Sequence, residues 1–231
     1  MFDSVQTPSR YHMKVIAPSF EIIAIENGAD ILKKIEAAGR TCYKSEDQIT
    51  EDSAIAFVQR ILNSGHHSVI EHASATVRLI CDRGISHEIV RHRLASYSQE
   101  STRYANYSKD KFGKEITVIR PCFWQKDSSE YNTWLDAMKQ AEQAYLVLIE
   151  KGASAQEARS VLPNSLKTEI VVTCNIREWR HIFALRCTST AHPQMREIML
   201  PLLAHMHASA PILFADLYEQ FQSAIMSTPK G

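Results

Sequence analysis

Apolar positions along the chain follow two periods, one near 3.6 residues and one of two, in an irregular order. Residues 29–38 carry Ile31, Leu32 and Ile35 on one side of a short helix, which Gly39 is expected to stop. Residues 51–63 predict a second helix with Ile55, Val58, Ile61 and Leu62 inward, Thr50 capping its start and Gly65 its end. The period then changes to two. Ala75, Val77, Leu79 and Cys81 alternate with Ser74, Thr76, Arg78 and Ile80, which predicts a half-buried strand over 73–81, turned by Asp82-Arg83-Gly84. A helix over 84–94 follows, and later a strand over 115–120 halted by Pro121.

The clearest helix spans 129–151, where Tyr131, Trp134, Leu135, Met138, Ala141, Tyr145 and Leu148 keep the helical period until Gly152. That stripe reads as core or subunit interface. Ser154-Ala155-Gln156-Glu157 is a capping box that opens a short helix before Pro163. Residues 167–174 are rich in β-branched side chains and read as a strand. Asn175-Ile176-Arg177-Glu178 repeats the capping pattern ahead of a helix to Arg186. Two further helices are expected from Pro193 onward, the first kinked by Pro201. The first eleven residues are polar and expected to be loose. The sum is a mixed, irregular α/β protein, a central sheet flanked by helices, taken as one domain over 1–231. The irregular order argues against a doubly wound Rossmann sheet.

Composition narrows the function. Lysine plus arginine equal aspartate plus glutamate at 26 each in 231 residues, so any anion site must be a local concentration of cations. Five scattered cysteines (Cys42, Cys81, Cys122, Cys174, Cys187) without a C-x-x-C favour a reducing compartment, and neither a secretory leader nor a membrane span is evident. A cytoplasmic protein with no membrane and no nucleic-acid partner is expected. The glycines, at 28, 39, 65, 84, 113, 152 and 231, are too scattered for G-x-G-x-x-G or a Walker loop. A phosphate-bearing ligand must therefore be held by side chains and helix ends, and arginine's planar fork suits it.

Residues 91–104 concentrate that chemistry: Arg91, His92, Arg93, Ser96, Ser98, Gln99, Glu100, Ser101, Thr102, Arg103 and Tyr104. On a helix over 85–94, Arg93 falls within the apolar half formed by Ile85, Ile89, Val90 and Leu94, and Arg91 points away from it. An arginine on an apolar face needs a carboxylate or a bound anion. Two arginines so directed could hold separate anions; alternatively, Arg91 pairs with Glu88 and Arg93 with an unseen acid. Residues 96–102 are hydroxyl-rich without apolar periodicity and read as a loop suited to a phosphate and a sugar.

Arg91-His92-Arg93, seven residues and Ser101 resemble the R-H-R-x7-S signature of the flavin-dependent thymidylate synthases, the ThyX family. The run from Ser98 to Tyr104, the histidine-rich stretch from Gly65 through His72, Glu157 to Pro163, and the block from Asn175 to Arg186 with Ala191-His192-Pro193-Gln194 are similar to that family too. The resemblance implies an enzyme that methylates deoxyuridylate (dUMP) to thymidylate (dTMP). It further implies FAD as hydride carrier, NADPH as reductant and methylenetetrahydrofolate as carbon donor. It assigns the flavin to Ser68, Arg91, His92, Arg93, Gln99, Asn175, Arg177 and His181. It assigns the nucleotide to Glu88, Arg91, Gln99, Glu100, Ser101, Thr102, Arg103, Arg159 and Arg186, with Arg186 as the catalytic group that activates the uracil ring. It implies a homotetramer whose sites are shared between subunits.

The residues support part of this independently. On the helix ending at Arg186, Trp179, Ile182, Phe183 and Arg186 share one face, while Arg177 and His181 share another. A structural ion pair is the competing reading for Arg186, and a plain helix cap for Asn175. Cys187 is a rival nucleophile that the scheme does not require. Two other classes compete. One is a metal-dependent hydrolase built on His66, His67 and His72, although their spacing fits no zinc-protease motif and no metal is expected. The other is a nucleic-acid module using Arg91, Arg93 and Arg103, which the neutral charge disfavours.

Overall fold

The computed structural model describes residues 13–228, so the expectation for the first eleven lies outside the described residues. In chain order the elements are strands β1 (Lys14–Ile16) and β2 (Ser19–Ile25), helices α1 (Gly28–Tyr43) and α2 (Ser53–Asn63), strand β3 (Ser74–Asp82), helix α3 (Arg83–Ile89) and strands β4 (Ala95–Gln99) and β5 (Thr117–Ile119). Helices α4 (Ser129–Glu150) and α5 (Ala155–Ala158), strand β6 (Lys167–Asn175) and helices α6 (Ile176–Arg186), α7 (Pro193–Ser209) and α8 (Pro211–Ser227) complete them. Mixed α/β architecture with sheets flanked by helices is as expected.

The chain divides into two compact units interleaved in sequence. The first comprises the segment ending at Ala17, Cys81–Gly84 and Glu100–Thr168. In it β1 pairs in parallel with β5, Val15 opposite Val118. The α4 stripe packs there as core: Tyr131, Trp134, Met138, Tyr145 and Leu146 are buried with Tyr107, Ile116, Val118 and Leu166. Buried Glu142 sits on the same face, and its carboxylate accepts the Ile116 N–H at 2.9 Å. The Ser154 capping box forms, with Glu157 accepting the Ser154 N–H at 2.8 Å.

The second unit comprises Pro18–Ile80, Ile85–Gln99 and Glu169–Gly231. Its sheet has the order β2-β3-β6-β4, with β2 antiparallel to β3 and β4 antiparallel to β6. The two-residue period of β3 holds: Ala75, Val77 and Leu79 are buried. Helix α6 buries Trp179, Ile182 and Phe183, each worth about 1.5–3 kcal/mol of apolar burial. The Phe183 ring meets Phe214 of α8 edge-on at 5.9 Å.

Several local expectations are corrected. Gly39 does not stop α1, which runs on until Lys44 adopts the left-handed conformation. Gly39 is needed for close packing instead: a Cβ there would lie 2.6 Å from the Phe57 ring of α2. Thr50 does not cap α2; its N–H donates to the Ser53 hydroxyl at 2.9 Å. Ile55 is 55% exposed, so the inward face of α2 is narrower than its apolar pattern. No turn separates β3 from α3, which begins at Arg83. Helix α3 ends at Ile89 rather than 94, and Leu94 is 73% exposed. The expected loop begins as strand β4, Ser96 opposite Thr173. An edge strand with hydroxyls on both faces carries no apolar alternation to reveal it. The two helices expected from Pro193 onward are present as α7 and α8, with Pro201 inside the first.

Candidate active site

Sheet and helix in the second unit converge on the end of α3. Strand β6 leads directly into α6, and Asn175 at the junction caps that helix, its side chain accepting the Glu178 N–H at 2.8 Å. The cap fixes the helix phase, so α6 presents Glu178 and Arg186 toward the turn that follows α3. Tyr97 of β4 secures that turn, its single hydroxyl proton shared between the carbonyls of His92 at 2.5 Å and Ile89 at 2.9 Å.

Within this frame Arg186 is held by three bonds. Its Nε donates to Nε2 of His92 at 3.0 Å, Nη1 to the Glu88 carboxylate at 3.1 Å and Nη2 to the Glu88 carbonyl at 3.2 Å. Its side chain remains 21% exposed, so the guanidinium is oriented without being sealed off. His92 is buried, and its Nδ1 lies 3.5 Å from Oε1 of buried Glu178. Burial lowers the His92 pKa to about 4, with the Arg186 and His181 charges adding to the effect. Burial raises the Glu178 pKa, opposed by His181 and Arg177.

The two arginines of the signature take a different form from the wheel reading. Because α3 ends at Ile89, Arg91 lies in the following turn and Arg93 beyond it, and both are exposed. Arg93 therefore does not sit on an apolar helix face. Glu88 pairs with Arg186 rather than Arg91, and among the described residues no carboxylate pairs with Arg91 or Arg93. Gln99 donates to the Ser86 hydroxyl at 2.8 Å. Ser68 is exposed on the 3-10 turn of residues 67–72, which packs against α6. Arg177 and His181 are both exposed on α6, and Arg177 pairs with Glu71 of that turn at 2.6 Å. All eight residues assigned to the flavin lie in the second unit.

Glu100, Ser101, Thr102, Arg103 and Arg159, assigned to the nucleotide, lie in the first unit. The Arg159 guanidinium reaches the hydroxyl of buried Thr102 at 3.5 Å. Glu100 pairs with Lys167 at 3.1 Å and accepts the Tyr107 hydroxyl at 3.1 Å, and these three residues border a cavity of about 320 Å³. Arg103 is exposed, its guanidinium 5.5 Å from the Tyr104 ring centre.

Two residues of the Arg186 surroundings escaped the sequence reading. The spacing predicts Glu178 as the returning arm of a capping box, but its carboxylate faces His92 instead. Tyr97 lies in strand β4, where the sequence pattern predicts a loop. His66, His67 and His72 form no close ligand group among the described residues; the set whose donor atoms lie within 4.8 Å of one another is His92, Glu178 and His181. A cation is disfavoured there because the Arg186 charge already occupies Nε2 of His92. Cys187 is buried and its thiol is pushed up to about 12 by that burial, so it is poorly suited to attack as a thiolate. No helix among the described residues is long and apolar enough to cross a membrane.

The family model described as thymidylate synthase complementing protein matches residues 24–212. The chain is also similar to proteins named flavin-dependent thymidylate synthase. That of Geobacter sulfurreducens is 34% identical over 203 residues, covering 85% of this chain and 86% of the relative. That of Pyrococcus abyssi is 36% identical over 174 residues, covering 74% and 70%. That of Mycobacterium tuberculosis is 34% identical over 200 residues, covering 79% and 78%.

Proposed function

The chain belongs to the flavin-dependent thymidylate synthase family, and on that premise we propose that it methylates deoxyuridylate to thymidylate, with methylenetetrahydrofolate as carbon donor, FAD as hydride carrier and NADPH as reductant. The observation that carries this reading is the setting of Arg186: a partly exposed guanidinium oriented by His92 and Glu88.

The fit of a flavin adenine dinucleotide rests on Arg91 and Arg93. They are exposed and without a carboxylate partner among the described residues, as phosphate-holding side chains must be. Bound flavin supplies the hydride that the transferred carbon needs. The chain's residues bind and orient. In the second unit Arg91 offers its charge to a nucleotide phosphate and Gln99 a hydrogen bond; in the first, Arg103 and Arg159 offer charges and Ser101 and Thr102 hydrogen bonds to a nucleotide. Arg186 exchanges its Glu88 carboxylate for the uracil imide. Its positive charge there favours loss of the N3 proton, which makes C5 nucleophilic. The exchange is feasible because the Arg186–Glu88 pair is only partly buried, where such pairs are weak. A homotetramer with sites shared between subunits belongs to the same proposal.

Incubation of the purified protein with deoxyuridylate, methylenetetrahydrofolate, FAD and NADPH tests the reading. Thymidylate formation that requires all four is the expected result. A colourless protein that gives no thymidylate with added FAD overturns it.

A further inference from the structure

We propose that Glu178 is a positioning residue for Arg186, acting through the imidazole of His92. A neutral imidazole carries one proton, and arginine has no acceptor. Arg186 donates its Nε–H to Nε2 of His92, so the His92 proton must be on Nδ1. That nitrogen faces Oε1 of Glu178 at 3.5 Å, the outer edge of hydrogen-bonding reach. Glu178 is thus the acceptor that selects the tautomer, and the tautomer leaves Nε2 free to hold the guanidinium. The order is carboxylate, imidazole, guanidinium.

The surroundings favour this relay over a packing role. Glu178 is buried, and a buried carboxylate costs free energy unless a donor or a charge compensates it. It makes no capping bond back to the helix start, although its position is the one where a capping-box glutamate would do so. Its charged neighbours on α6 are Arg177, turned to Glu71, and His181, whose ring meets the His92 ring edge-on at 5.8 Å. The relay itself is independent of the reaction; its effect on turnover rests on the proposed role of Arg186.

Long-range proton–nitrogen NMR of the histidine-labelled full-length protein, without added ligands at neutral pH, reads the tautomer directly. His92 is assigned by the signal lost in His92→Gln. The expected result is a single Nδ1–H form in the wild type and mixed tautomers in Glu178→Leu. Turnover separates relay from packing. Leucine suits a buried site and has no acceptor, whereas glutamine keeps a carbonyl facing Nδ1. Glu178→Leu is expected to lower kcat about tenfold with the KM for deoxyuridylate unchanged, while Glu178→Gln stays within about threefold of wild type. An Nε2–H tautomer in the wild type, a leucine variant as active as the glutamine variant, or stoichiometric zinc on His92 would each overturn the proposal. If the leucine variant does not fold, Glu178→Ala takes its place in the same NMR measurement: mixed tautomers support the proposal, and an unchanged Nδ1–H form overturns it. If the wild type makes no thymidylate, the function fails and the tautomer still decides the relay.

Discussion

Arg186 and His92 lie 94 residues apart in sequence and are joined by a 3.0 Å hydrogen bond from Nε to Nε2. The bond couples the end of α6 to the turn after α3, the two places where the proposed chemistry needs a fixed cation and free phosphate-binding arginines. It directs the guanidinium while leaving its two terminal nitrogens on the exchangeable Glu88.

Arg186→Ala should therefore lower thymidylate turnover by about 100-fold or more, the usual effect of removing a charge that acts on the reacting group. Flavin content should stay at the wild-type level. Near-normal turnover would remove Arg186 from the mechanism.

Arg91→Ala and Arg93→Ala should weaken retention of flavin or nucleotide. Loss of a charge-assisted bond to phosphate costs about 1.5–3 kcal/mol, or roughly 10- to 150-fold in affinity. Flavin retention on gel filtration and titration with deoxyuridylate measure this. Wild-type binding of both ligands in both variants would end the phosphate-clamp reading.

Cys187→Ala should still form thymidylate, because burial holds the Cys187 thiol in its protonated form. Its cost should be confined to stability, about 1 kcal/mol for a small buried truncation. Complete loss of activity in a correctly folded variant would restore Cys187 as a nucleophile.

His92 should make the fold acid-sensitive. Its folded pKa lies at about 4, below the ordinary 6.5, so between these values the unfolded chain takes up a proton that the folded chain refuses. Its contribution to stability is complete above about 6.5 and is lost as the pH falls toward 4. Burial also shifts the Glu178 carboxyl upward, so the comparison must be with a variant. Urea midpoints at pH 7.5 and pH 5 should fall further on acidification in the wild type than in His92→Gln. Equal losses would place the acid sensitivity elsewhere.

Gly39→Ala tests the packing of α1 on α2. Alanine improves helix propensity by about 1 kcal/mol, but overpacking typically costs about 1–3 kcal/mol. The Phe57 ring that the new methyl would strike has the Arg40 and Arg60 guanidiniums beside it, at 4.7 and 5.4 Å from its centre. A net loss of about 1 kcal/mol is expected in urea unfolding. A gain in stability would mean that the ring moves freely.

Regular periodicity made much of the fold legible. The α4 stripe, the alternation of β3, the Ser154 box and the Asn175 cap each depend on residues a few positions apart, where backbone geometry alone sets which side chains meet. The errors fall where distant partners decide. Gly39 reads as a helix stop until the Phe57 ring is placed against it, and β4 reads as loop until β6 supplies its pairing. The helical wheel put Arg93 on an apolar face because no local signal ended α3 at Ile89.

The sequence by itself determined the mixed α/β class, the absence of a glycine phosphate cradle, and the family, because spaced motifs survive as text. Tertiary structure alone decided which groups face one another. It turned Glu178 from a cap to a neighbour of His92, took Glu88 from Arg91 to Arg186, and left the two signature arginines without a carboxylate partner among the described residues. Electrostatic and hydrogen-bond energies depend on separation in space over a few ångströms, and chain position does not encode that separation.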